Sequence, residues 1–114
     1  HLLEMCEGSG TLATVHGSKV QTLGGVEGYH AAGCVPGGAR RNYASYGARI
    51  DVPEGYTRDL MCDPQTSGGL LVSVCPDCAD QVAQVLKERG MPHEPVGIMR
   101  ASEGVSGATV TWAP

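Results

Sequence analysis

Nine residues, Asp63-Pro64-Gln65-Thr66-Ser67-Gly68-Gly69-Leu70-Leu71, constrain this 114-residue chain more than any other stretch. They join a polar turn with two glycines to an apolar run, Leu70-Leu71-Val72-Ser73-Val74. Pro64 fixes its own φ and pushes Asp63 toward an extended conformation. Thr66 and Ser67 compete for nearby backbone amides, which favours turn over helix. Gly68 and Gly69 permit positive φ and the close approach of another backbone or of a ligand oxygen. The sequence therefore predicts a bend that delivers the chain into a buried strand over Leu70–Val74, too apolar to be exposed on either face.

Around that bend the chain reads as alternating helices and strands. Leu2, Leu3, Met5 and Cys6 recur at helical spacing, and Gly8-Ser9-Gly10 stops the helix. Thr11–Val15 is rich in β-branched residues and reads as a strand. Ser18–Leu23 reads as a turn of helix, and Val26–Ala32 as a short helix ended by Gly33. Pro36–Gly47 reads as a loop or a loop–helix mixture, because its glycines weaken any helix. Tyr56–Met61 is helical and leads into the bend.

Pro76–Arg89 carries Ala79, Val82, Ala83, Val85 and Leu86 on one face of a helix. Asp77 and Asp80 lie near its positive end and Lys87 and Arg89 near its negative end. Gly90 and Pro92 stop it. Two more strands fit near Pro95–Met99 and Ala108–Trp112, with Ser102–Gly107 as the turn between them. Helices alternating with strands, one of them amphipathic, imply an α+β fold: a mixed β-sheet with helices packed on it. Trp112 covers its core.

Composition narrows the class. The length suits one domain, 1–114, able to bury roughly two-thirds of its unfolded surface. With 41% hydrophobic and 18% charged residues, the chain has the makeup of a globular protein. No Phe and one Trp leave the core to aliphatic side chains. A net charge of −4 points away from nucleic acid, whose phosphates need clustered Lys and Arg. No apolar run approaches the roughly twenty residues that span a bilayer, so no membrane partner is expected. The five cysteines form no disulfide framework, which suits free thiols in a reducing cytoplasm. The chain opens on His1 directly before a helical pattern, which reads as a piece cut from a longer protein.

Three segments carry a family resemblance: the nine-residue bend, Pro36-Gly37-Gly38-Ala39-Arg40-Arg41-Asn42-Tyr43-Ala44-Ser45-Tyr46-Gly47, and His1-Leu2-Leu3-Glu4-Met5. In order from His1 to about Ile98, the chain resembles the selenophosphate synthetases (selenide, water dikinases). These fall in the wider family related to aminoimidazole ribonucleotide synthetase. The resemblance implies the carboxy-terminal α+β domain of a larger two-domain enzyme, trimmed at its amino end. The amino-terminal nucleotide-binding domain is then its partner, and the parent is a cytoplasmic homodimer. That parent makes selenophosphate from selenide and ATP with magnesium, releasing AMP and phosphate. In the family the reactive Cys or selenocysteine, the essential Lys and the metal-binding carboxylates precede the segment matched here. No catalytic or metal residue is transferred, and the piece alone is expected to be inactive and without a cofactor of its own.

The candidate contacts to phosphate or to the neighbouring domain are Arg41, Asn42, Asp63, Gln65, Thr66, Ser67, Gly68 and Gly69. Backbone amides of a Ser-Gly-Gly turn can nest phosphate oxygens, with Thr66 and Ser67 adding donors. Arg41 and Asn42 can present a cation and an amide to a nucleotide. The plainer alternative is structural: the bend sets the entry angle of the following strand, Arg41 pairs with a carboxylate, and Tyr43 and Tyr46 pack beneath the loop. Arg40 faces solvent.

Cys75-Pro76-Asp77-Cys78 matches a dithiol at a helix start. A structural zinc needs four ligands, and no second pair exists. A domain of another class, non-catalytic and using Cys75 and Cys78 for metal or thiol exchange, remains an alternative, as does another ATP-dependent synthetase of the same family. Cys62 reads as a small buried hydrophobe. His1, His16, His30 and His93 share no ligand spacing, and Asp51, Glu54 and Asp59 read as solvated charges.

Overall fold

A computed structural model describes residues 1–102 and 108–114. Helix α1 (Leu2–Ser9) ends where Gly10 turns left-handed and donates its N–H to the Cys6 carbonyl. The chain then enters β1 (Thr11–His16), which lies inside a four-stranded sheet of order β2-β4-β1-β3. Strand β3 (Gly97–Ala101) pairs antiparallel with β1, from Thr11 opposite Ala101 to Val15 opposite Gly97. Strand β4 (Val110–Ala113) runs parallel to β1, and β2 (Ile50–Asp51) runs parallel to β4. The fold is α+β with a mixed sheet, as expected.

Alternation along β1 turns Ala13 and Val15 toward one face. There they meet Leu3 and Cys6 of α1, which lie one helical turn apart, and Val110 of β4. Leu2, Val20, Ile50, Met61, Met99 and Trp112 pack around this cluster. A core of small aliphatic groups and a thiol is what a chain without Phe can build. Trp112 takes the covering position expected of it.

A helical layer adjoins the sheet. Helices α2 (Val26–Ala31), α3 (Gly37–Tyr46) and α4 (Tyr56–Met61) follow in order, and α3 packs against α4. The block read as a loop or mixture is thus largely helix. Its glycines sit at the ends, Gly37 and Gly38 in the first turn and Gly47 at the C-cap, so Ala39–Tyr46 pays no glycine penalty. Ser18–Leu23 holds only the end of a short 3-10 turn, Gly17–Lys19. A 3-10 turn over Pro76–Cys78 leads into α5 (Ala79–Glu88). Both distal strands begin about two residues later than the pattern suggested. Most of the expected Ser102–Gly107 turn lies outside the described residues.

The largest departure concerns Leu70–Val74. This run forms no strand, and Leu70 is 96% and Val72 65% exposed. A strand exists only when a neighbour completes its hydrogen-bond ladder. The sheet ends on β2 and β3, and neither pairs with this run. Apolar patterning marks a segment suited to burial; it does not provide the partner. The apolar stripe of α5 is likewise not buried, and Val85 stands 45% exposed.

Candidate functional site

The two sequence motifs come together through α3. Pro36 is extended at φ −59° and ψ 137° and starts the helix. Ala39 is buried, which sets the inward face of α3, and Gly38 abuts the bend beside it. A Cβ on Gly38 would lie 2.8 Å from Cγ of Pro64, closer than packed carbons allow, so only glycine admits that ring. One turn further on, Asn42 Nδ2 donates to the Cys62 carbonyl at 2.9 Å. Gly38 and Asn42 share a face of the helix. That face carries the bend.

The bend begins as α4 unwinds, with Asp63 N–H donating to the Leu60 carbonyl at 3.2 Å. Gly68 N–H then donates to the Gln65 carbonyl at 3.0 Å and closes the turn. The left-handed residue is Gln65, at φ 45°, whereas the sequence placed that freedom at Gly68 and Gly69. Gly68 serves close approach instead: a Cβ there would lie 3.3 Å from the Gln65 carbonyl oxygen. Thr66, Ser67, Gly68 and Gly69 are exposed, while Asp63 and Pro64 are half-buried. Beneath them Cys62 is buried, as expected of a small hydrophobe. Burial pushes its thiol pKa up, the Arg58 guanidinium acts in the opposite sense, and the Asp59 carboxylate adds to the rise.

Arg41 lies exposed in the second turn of α3 with its guanidinium folded back toward the first, Nη1 being 3.4 Å from where a Gly37 Cβ would stand. No carboxylate pairs with it among the described residues. A cation at the positive end of a helix gains little from that dipole, and an anion placed there is favoured by both. Tyr43 does not fold under a loop. Its ring takes the Arg58 guanidinium at 4.8 Å, and Tyr46 takes Arg49 at 5.4 Å. Arg40 is exposed, as expected.

One contact had no signal in the sequence. His30 Nε2 lies 2.9 Å from Asp59 Oδ2, with Tyr56 edge-on to the imidazole at 5.2 Å and Arg58 Nε 3.7 Å from Asp59 Oδ1. Asp59 is therefore not a solvated charge. It ties α2 to α4 across 29 positions of chain, a separation that residue spacing does not reveal.

The exposed donors of the two motifs suit an oxyanion. The two motifs contain one carboxylate, the half-buried Asp63, and neither histidine nor cysteine. Magnesium needs several oxygens near octahedral geometry. No group of three or more His, Cys, Asp or Glu suited to a metal occurs among the described residues. A shallow apolar groove of about 300 Å³ on α5, lined by Gln81, Val82, Val85 and Leu86, shares no residue with the two motifs. No described helix is long and apolar enough to cross a membrane.

The geometry thus defines an α+β domain that displays two docked polar motifs. No family model matches the chain. It is 45% identical over 104 residues to the selenide, water dikinase of Aeromonas salmonicida, covering 91% of this chain and 30% of that protein. It is 52% identical over 97 residues to that of Bordetella bronchiseptica, covering 85% and 28%. With that of Pasteurella multocida the identity is 42% over 111 residues, covering 97% and 32%. The chain belongs to the selenide, water dikinase family. It spans about three-tenths of the length of the curated relatives it matches.

Proposed function

We propose that this chain is the carboxy-terminal portion of an enzyme that makes selenophosphate from selenide, ATP and water, releasing AMP and phosphate. The observation that carries this reading is 42–52% identity, over most of the chain, to proteins named selenide, water dikinase. Phosphoryl transfer relies on positioning and charge stabilisation more than on covalent chemistry by the protein. In this reading the amino-terminal nucleotide-binding domain supplies the reactive groups and the magnesium ligands. The present domain packs against it and supplies part of the wall.

Arg41, Thr66, Ser67 and the amide of Gly69 face phosphate oxygens in that assembly, while the Gly68 N–H keeps the turn closed on the Gln65 carbonyl. Asn42, Asp63 and Gln65 hold the bend in shape. The residues present fit the phosphates of ATP and not its magnesium, since Asp63 is the one carboxylate in the two motifs. The parent acts as a homodimer in the cytoplasm.

Two measurements test this division of labour. The isolated chain should neither hydrolyse ATP nor bind magnesium–ATP at micromolar concentration by calorimetry; tight binding would overturn the wall-only role. The complete parent should release AMP in a selenide-dependent manner, and Arg41→Ala in that parent should raise KM for ATP. AMP release indifferent to selenide would favour another synthetase activity.

A further inference from the structure

We propose that Cys75 and Cys78 form a reversible dithiol–disulfide site that exchanges with low-molecular-weight disulfides. The site is independent of the phosphoryl chemistry above. Of the five free cysteines, Cys6 and Cys62 are buried, and Cys34, Cys75 and Cys78 are exposed. Cys34 stands apart in sequence, whereas Cys75 and Cys78 bracket one turn.

That turn is already closed. Cys78 N–H donates to the Cys75 carbonyl at 2.9 Å across Pro76 and Asp77. An i→i+3 bond of this kind holds the end Cα atoms within roughly 7 Å. A disulfide spans Cα atoms roughly 4.4–6.8 Å apart, so the backbone needs little movement to admit it. Pro76 fixes one φ of the turn and reduces the freedom that ring closure must remove. The turn leads directly into α5, so one end is held by a regular helix. Two thiols supply half of a tetrahedral zinc site, and no group of three or more His, Cys, Asp or Glu suited to a metal includes them among the described residues. Thiol exchange is the chemistry two exposed sulfurs can complete by themselves.

The step balances with a disulfide RSSR as oxidant. One protein thiolate attacks a sulfur of RSSR, the S–S bond breaks, and RS⁻ leaves with the electron pair. The second thiolate attacks the protein sulfur of the mixed disulfide, forms the Cys75–Cys78 bond and expels the second RS⁻. The protein loses two electrons and two protons, and RSSR becomes two RSH. A small dithiol returns the pair by the reverse route.

The reduced 114-residue chain is titrated with glutathione disulfide against reduced glutathione, quenched by alkylation, and mapped by peptide mass. The expected product is an intramolecular Cys75–Cys78 bridge, reversed by dithiothreitol. It should reach half-formation at a glutathione disulfide level about tenfold or more below that giving half of the Cys34 adduct, because the short tether keeps the second thiol at high effective concentration. Cys78→Ser should stop at a persistent glutathione adduct on Cys75, and Cys34→Ser should leave the bridge unchanged. The inference fails if the native protein accumulates adducts on Cys75 and Cys78 at the level that modifies Cys34. It also fails if the bridge joins Cys34 or links two chains.

Discussion

The side-chain amide of Asn42 donates to the main-chain carbonyl of Cys62 at 2.9 Å, joining the face of α3 to the last residue before the polar bend. The bond is partly buried, and it fixes where Asp63 starts. Asn42→Ala leaves that carbonyl without its donor, and the expected cost is about 1 kcal/mol. Chemical denaturation should show a lower midpoint with an unchanged slope. Faster amide exchange across residues 63–69 should accompany it.

Two adjacent glycines of α3 should respond in opposite ways to the same change. At Gly38 a methyl group meets the Pro64 ring at 2.8 Å, and the bend must move. Gly38→Ala should cost about 1–3 kcal/mol despite its better helix propensity. At Gly37 the neighbour is the end of the Arg41 side chain at 3.4 Å, which can swing aside. Gly37→Ala should be neutral within about 0.5 kcal/mol. Thermal melts of the two variants decide the matter; equal effects would contradict the docked arrangement.

Two leucines provide a test of where the core lies. Leu3 is 7% exposed in the cluster between α1 and β1, so Leu3→Ala should cost about 2–5 kcal/mol. Leu70 is 96% exposed, and Leu70→Ser should change stability in this chain by no more than about 0.5 kcal/mol. In the longer parent, a larger Leu70→Ser effect would show that the run gains a partner there.

Alkaline pH should weaken the fold through Cys62. Burial raises its thiol pKa in the folded state, so the unfolded chain releases that proton first as pH climbs. The unfolded state then binds fewer protons than the native one, and stability declines with pH. This contribution is complete below the ordinary thiol pKa and is lost as pH rises through the folded value. Denaturation series at increasing pH should show the decline, and Cys62→Ala should remove this part of it. At neutral pH Cys62 should also alkylate far more slowly than Cys34.

Much of the helical layer was legible because helices carry their own signals. Leu2 to Cys6, Tyr56 to Met61 and Ala79 to Leu86 announce themselves by local period, and Gly10 marks its stop. Strand β1 was visible for the same reason, its pattern being compact and β-branched. The two-residue β2 had no pattern to show, and its place follows from pairing with Val110 and Thr111 some sixty positions away. The contact of His30 with Asp59 is equally non-local.

Local chemistry written in the chain determined the α+β class, helices α1, α2, α4 and α5 and the bend at Asp63–Gly69, and its motifs carried the resemblance to the selenide, water dikinases. Tertiary structure alone decided that Gly38 receives Pro64, that Asn42 holds Cys62, that Gln65 takes the left-handed backbone, and that Leu70–Val74 stays unpaired. The reason is physical. Periodicity and turn propensity act over a few residues, whereas a ladder, a seat for a proline ring or a buried carbonyl needs a partner that arrives from elsewhere in the chain.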